Sequence, residues 1–345
     1  MRLTEKTLQK SSVTCRSSST GHDQRGMALL VTIMTLSLLT AITIQYHKVS
    51  WHNFVVSDNY KRGVQLKSIS ESGVNIALAA LIDDLAENEA DSFSDSWALL
   101  EQENFDLLFP SGELLLKIND LSGRLQTNML VEEKNAETSA ELRDILQNLL
   151  VSGIFPIEDE TEALEIVDAI VDWIDEDDLE SDHGAENSYY QSLDQPYSAR
   201  NGPLTSIEEL LLIRGITPEI FFGSDENKGL KDFLTVYGED GKININTAET
   251  ELIKSMNPLI TDELAEQFDE FRKDEDNKDS FNDPSWYTAI GWPGDIELND
   301  KIITTTSQYF QISATGKFDT LSWTMVADAG RAEDGTINLL RKKVE

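Results

Sequence analysis

The stretch "QRGMALLVTIMTLSLLTAIT", residues 24–43, decides how the rest of the chain is read. Met27 to Ile44 carries no charge. Its eighteen residues, wound as a helix, span about 27 Å, enough for one membrane crossing. The segment before it holds five basic residues (Arg2, Lys6, Lys10, Arg16, Arg25) and two acidic ones (Glu5, Asp23). A net positive flank stays on the cytoplasmic side, so the bulk beyond residue 44 is expected on the other side. Hydropathy alone permits a plain signal anchor. A cleaved secretory signal fits less well, because no small-x-small site follows the apolar run.

The polar-to-apolar boundary lies before the apolar helix, at Arg25-Gly26, and resembles the type IV prepilin cleavage site. The resemblance implies a cut between Gly26 and Met27, methylation of the new Met27 amine, and retention of the helix. Most pilin-like chains carry Glu at the fifth mature position; here it is Val31. A carboxylate inside the membrane costs roughly 2.5–3.5 kcal/mol and persists only with a partner. In pilins that partner is thought to be the terminal amine of a neighbouring subunit. A subunit at a fibre tip has no neighbour ahead of it, which suits Val31, although drift would leave the same residue.

Beyond the span, Leu66, Ile69, Gly73, Ile76, Ala77, Ala80 and Leu81 recur at helical spacing, predicting one helix to about Leu85. Residues 113–118 (ELLLKI) read as a strand. Residues 137–235 turn helical, with one stripe over Leu142, Ile145, Leu146, Leu149 and Leu150 and another over Leu164, Val167, Ile170, Val171 and Ile174. "SIEELLLIRG" is expected to form a helix capped by Thr205 or Ser206, with Glu209 completing a capping box from Ser206, and ended by Gly215, with Pro218 opening the next. "GKININTAETELIKSM" places a short strand before a helix, and "TTTSQYFQISATG", "LSWTMVADAG" and "TINLLRKKV" read as closing antiparallel strands. The order predicts an α+β class, a long N-terminal helix on an antiparallel sheet with a large all-α insertion. The expected divisions are a leader (1–26), the membrane helix (27–44), the first part of the head (45–130), a helical insertion (131–236), a second helical unit (237–300) and the closing strands (301–345).

The formal net charge is −35, and without the first 26 residues 23 basic face 61 acidic residues, or −38. Such a field repels phosphate backbones and favours hard cations. The single cysteine, Cys15, precedes Gly26, so the remainder cannot form an internal disulfide. Of four histidines only His183 lies far from the N-terminus, which disfavours a His-based triad or zinc site. We therefore expect no enzyme; a glycosidase-like acid pair such as Asp175 and Glu186 is the weaker alternative.

"IVDAIVDWIDEDD", "HGAENSYY", "PYSARNGPLTSIEELLLIRGIT" and "KININTA" stand in the order found in GspK, the large minor pseudopilin family of type II secretion systems, which this chain resembles. The resemblance implies a pilin-like head with an insertion built of SAM-like and helix-hairpin-helix-like units. It also implies a single-pass inner-membrane location with a periplasmic bulk, processing by a prepilin peptidase, and contact with the inner-membrane secretion platform. The implied role is to join other minor pseudopilins in a tip complex that starts the pseudopilus. A type IV pilus minor pilin is a related alternative.

Between Glu158 and Glu186 lie fourteen acidic residues and no Lys or Arg. Asp175, Asp177 and Glu186 fall at positions 1, 3 and 12 of an EF-hand count, but Leu179 and Glu180 at positions 5 and 6 break that pattern. A solvated acidic loop is one reading; a divalent ion relieving carboxylate repulsion is the other. Relatives bind calcium in this region, so the resemblance implies a structural calcium. The expected ligands are Asp175, Asp177, Asp182 and Glu186, with Asp178 in reserve.

"NINTAETELIKSMNPLITDELAEQFDEFR" looks like a helix-hairpin-helix, the module of membrane-anchored, competence-type DNA receptors. Its hairpin "NPLIT" lacks the glycine that phosphate binding needs, and cations are sparse around it. No nucleic-acid partner is expected.

Overall fold

The computed structural model describes residues 24–110, 112–131, 135–224, 226–332 and 334–344. The leader up to Asp23, with Cys15, lies outside the described residues. The chain divides into two units, residues 1–61 and 62–345.

Helix α1 runs from Gln24 to Glu87. Among the described residues it is one helix long and apolar enough to cross a membrane, with a mean hydropathy of 2.2 in its most apolar window. Hydroxyls in hydrocarbon must find partners within their own helix. Those of Thr32, Thr35, Ser37, Thr40 and Thr43 each donate to a carbonyl three or four residues back.

In the second unit the end of α1 lies on a sheet. The short α2 (Ser96–Leu99) leads to β1 (Glu113–Asp120). Next come β2 (Leu125–Gln126), α3 (Ala136–Leu150), α4 (Glu160–Ile174), α5 (Asn187–Tyr190) and α6 (Pro218–Phe222). They are followed by β3 (Leu234–Thr235), β4 (Ile243–Asn244), α7 (Thr250–Met256) and α8 (Asp262–Lys273). The chain closes with β5 (Ile303–Thr304), β6 (Tyr309–Phe318), β7 (Leu321–Arg331) and β8 (Ile337–Val344). β1, β6, β7 and β8 form one antiparallel sheet in that order. β2–β3 and β4–β5 are short parallel pairs.

Among the described residues there are two hydrophobic cores. One joins Leu66, Ile69, Val74, Ala77 and Leu81 of α1 to Leu114, Leu116 and Ile118 of β1 and to the inward residues of β6 and β7. Burial alternates along β1, β6 and the middle of β7, as a one-sided sheet requires. Gly73 is needed in the α1 stripe, because a Cβ there would sit 2.7 Å from Leu114 Cδ1 and 2.9 Å from the Ala314 Cβ. The second core spans the helical lobe, from Leu125 to Ile303.

The expected helix over "SIEELLLIRG" is instead a 3-10 turn, Ile207–Leu212. The capping box of Ser206 and Glu209 is present. In a 3-10 turn residues three apart eclipse. That places Ile207, Leu210 and Ile213 on one side, and Leu210 and Ile213 are buried. A full α-helix would fan this triplet over an arc of about 120°. Gly215 follows at φ +84, in the left-handed region. Pro218 opens α6, with the Thr217 hydroxyl accepting from Ile220 N. The block expected to stay helical to residue 235 ends in β3. The stripe on α4 is wider than the spacing suggests, since Ala163, Ile166 and Ala169 are also fully buried.

Buried polar groups bind the head to the helical lobe. Asp120 ends β1. Its carboxylate accepts from the hydroxyls of Thr247 and Ser307, from Ser122 N at 2.7 Å and from Asn244 Nδ2 at 3.2 Å. Asn244 also reaches Ser307 Oγ at 2.7 Å and Asp91 O at 3.1 Å. Asn246 donates to Asp91 O at 3.2 Å and accepts from Trp286 Nε1 at 2.7 Å. Asp91 in turn holds Arg331 at 2.9 Å and 3.2 Å, and Arg331 reaches the Leu81 carbonyl at 3.1 Å. The motif "KININTA" is thus a buried hydrogen-bond joint. Asn244→Ala leaves Asp120 and Ser307 short of a partner in a dry site and should cost about 2–3 kcal/mol. Urea unfolding of the full chain checks this; a change below about 0.5 kcal/mol rejects the joint.

Candidate functional site

The acidic loop leaves α4 at Asp175, which caps the helix with an extended backbone. Four carboxylates gather at this end of the helix. Asp172 is fully buried and accepts from Ser181 N at 3.2 Å on both oxygens. Gly184 permits this, because a Cβ there would lie 1.9 Å from Asp172 Oδ2. The loop is clamped from outside by Arg214, which donates to Gly184 O at 2.7 Å and His183 O at 3.2 Å and pairs with Glu165 at 3.1 Å. "LIRG" therefore holds "HGAEN" in place.

Glu186 is 2% exposed and caps α5, with Oε2 accepting from Asn187 N at 3.0 Å. Its Oε1 is buried and has no hydrogen-bond partner. Burial pushes the carboxyl up to about 7, and the neighbouring charges of Asp175, Asp172 and Asp178 add to the rise. Burial likewise raises Asp172. Asp178 Oδ1 accepts from Asn187 Nδ2 at 2.7 Å and Asn201 Nδ2 at 3.1 Å. Asn201 sits at φ +47, where asparagine is among the residues best tolerated, and its Oδ1 is a second buried oxygen without a partner. "PYSARNGP" positions it, since Arg200 ties this turn to Pro203 O at 2.6 Å and Glu209 at 2.8 Å.

Of the expected ligands, Glu186, Asp175 and the reserve Asp178 lie in one neighbourhood. Asp177 turns its carboxylate onto Leu179 N at 2.7 Å, and Asp182 is exposed. Asp172 and Asn201 belong to the site and were missed. Asp172 is masked in the sequence by its place inside a helical stripe, and Asn201 lies about fifteen residues downstream of its neighbour Glu186. Among the described residues no three His, Cys, Asp or Glu side chains are arranged to hold a metal. The fit to a cation rests instead on two orphaned oxygens, Glu186 Oε1 and Asn201 Oδ1, beside the carboxylates of Asp172 and Asp178. All are hard oxygen donors suited to calcium. Trp173, Tyr190 and Tyr197 pack edge-on or tilted beneath the loop, with Trp173 and Tyr190 in the core.

The helix-hairpin-helix is present as α7 and α8. Its Arg272 is buried and donates to Asp269 and to the carbonyls of Ile245 and Ala248. Lys254 pairs with Asp262, and Lys273 with Asp269. Arg272 serves the fold, and the two lysines pair with acids on their own surface.

Raised carboxyls set the sign of the pH dependence. Glu186, and Asp84 and Asp91 at about 6, all bind protons more tightly folded than unfolded. Their contribution is full below about pH 4 and is lost as pH rises through 6 to 7. Without divalent ions, Tm should therefore fall between pH 5 and 8. Glu186→Gln should flatten the upper part of that fall, by an amount of order 2–3 kcal/mol. Parallel wild-type and variant curves would dismiss the assignment.

A family profile described as type II secretion system (T2SS), protein K, matches residues 118–223. Protein K of the type II secretion system of Aeromonas hydrophila is 26% identical over 257 residues, 70% of this chain and 72% of the relative. That of Pseudomonas aeruginosa is 22% identical over 344 residues, 92% of each. An Escherichia coli K12 protein described as a putative type II secretion system protein K is 28% identical over 208 residues, 58% of this chain and 60% of the relative. A chain in the crystal structure of the GspK-GspI-GspJ complex from enterotoxigenic Escherichia coli shares the fold, with TM-score 0.63 and 20% identity over 84% of this chain and 99% of that one. With the ordered motifs now placed on a head and a helical lobe, the chain is similar to protein K of type II secretion systems over most of its length.

Proposed function

We propose that the chain is a minor pseudopilin that sits at the tip of a type II secretion pseudopilus and starts its assembly with other minor pseudopilins. The observation that carries this reading is α1, which begins as an exposed apolar span behind Gly26 and ends packed on an antiparallel sheet. That is the division of labour a fibre subunit needs: one part for a membrane or neighbouring helices, the other for a folded head. The span anchors the chain once in the inner membrane, with the head and lobe in the periplasm. A prepilin peptidase cuts after Gly26 and methylates Met27, and the secretion platform draws the helix into the fibre. Val31 leaves the fifth position without a carboxylate, as suits a subunit with no neighbour ahead. The solved complex of the structural neighbour, which contains GspI and GspJ, supports minor pseudopilins as the partners. Neither the arrangement of carboxylates nor the family points to an enzyme.

Coexpression with a prepilin peptidase and intact-mass measurement tests the pathway. The expected product starts at methylated Met27. A full-length product, under conditions where a control prepilin is processed, reduces the apolar stretch to an anchor.

The acidic loop takes a structural calcium through Glu186 and Asn201, with Asp175 and Asp178 alongside. A loop without a disulfide gains from such a clip, because an ion bound only by the folded state stabilises it by mass action. Chelator should lower Tm and calcium restore it, more strongly at pH 7.5 than at pH 5, where Glu186 is protonated. Equal effects at both pH values argue against Glu186 as a ligand, and no calcium response removes the metal.

A further inference from the structure

The sheet has a second face, and it is not simply solvated. Where alternate residues of the strands pack on α1, their neighbours point the other way. The register aligns Lys117, Ser313, Val326 and Lys343 in one row and Asn119, Gln311, Asp328 and Arg341 in the next. Across these rows lies a cleft of about 450 Å³, walled on the lobe side by segments that include Glu208, Phe222 and Tyr237.

Its charge runs against that of the chain. Past residue 26 acids outnumber bases 61 to 23. In the cleft five cations (Lys117, Arg124, Lys231, Arg341, Lys343) meet three acids (Glu208, Asp232, Asp328). One carboxylate, Glu208, faces both Arg341 at 3.2 Å and Lys343 at 3.6 Å. Hydrogen bonds from Ser206 and Arg341 hold it down at about 2 against the opposing effect of burial. Asp328 is engaged by Tyr237 Oη at 2.9 Å and Gln311 at 3.1 Å. Lys117 meets Glu101 only at an exposed edge, 3.3 Å away. The wall adds an apolar contribution: Phe222 is 53% exposed, with Lys231 Nζ 5.1 Å above its ring.

We propose that this cleft docks an extended segment of another protein, one that carries carboxylates interleaved with apolar side chains. Lys117 and Lys343 stand at opposite ends of a four-strand row, about 14 Å apart at strand spacing. A single small anion cannot meet both, whereas about four residues of extended chain can. A polynucleotide fits less well, because the cleft has only a small excess of cations and the surrounding field is strongly negative. The proposal does not depend on the place of the chain in a fibre.

The test uses full-length protein in detergent and a labelled peptide of alternating Glu and Leu, followed by fluorescence anisotropy. Lys117→Glu with Lys343→Glu should weaken binding roughly tenfold or more. Lys273→Glu with Lys301→Glu, an equal charge change outside the cleft, should leave it within about twofold. Both pairs are exposed, and circular dichroism checks that each variant folds. The docking site is overturned if wild type does not bind, if both double variants lose binding equally, or if a control peptide with Gln in place of each Glu binds as tightly. Tighter binding of labelled oligothymidylate would replace the peptide with nucleic acid and equally end the proposal.

Discussion

The second unit depends on a buried carboxylate at the end of a strand. Asp120 is the last residue of β1, and burial raises its pKa, yet four groups donate to it. These donors come from three distant places: the turn after β1, the "NINT" segment of the lobe, and the approach to β6. An unsatisfied carboxylate in this position would be expensive. The donors can reach it only if head and lobe meet in one arrangement. Hydrophobic burial holds each core together without direction, while this polar joint fixes how the two cores meet. Arg331 extends the joint to the end of α1 through Asp91 and the Leu81 carbonyl, so helix, sheet and lobe share one set of constraints.

The same logic, left incomplete, describes the acidic loop. Asp172 is satisfied by Ser181 and protected by Gly184, and Arg214 secures the loop through backbone carbonyls. Glu186 and Asn201 retain oxygens without donors. A folded loop that buries acceptors and supplies no matching donor is suited to a cation, which supplies charge without needing a hydrogen. The two carboxylate centres differ in this respect: one is closed by protein donors, the other keeps acceptors without them. The cationic cleft on the far face of the sheet is a third arrangement, in which basic residues outnumber acidic ones among those that line it.

Much of the architecture was legible in the order of residues. The apolar span, the stripe from Leu66 to Leu81, the alternation of β1 and β6 and the stripe of α3 are repeats set by local geometry. A helix or strand must present one face to a core, so period alone exposes them. The capping box at Ser206 was equally local, but the 3-10 form of the turn it opens was not. The carboxylate neighbourhood was half legible. Density of acids marked the loop, while Asp172 looked like a polar residue on a helix and Asn201 like part of a turn. The sequence by itself determined the helices, strands, charge and apolar anchor, since each follows from neighbours within a few positions. Only the tertiary structure decided which acids are buried together, that "KININTA" is a joint, and that five cations line one cleft. Those outcomes depend on contacts between residues up to more than two hundred positions apart, which no local pattern encodes.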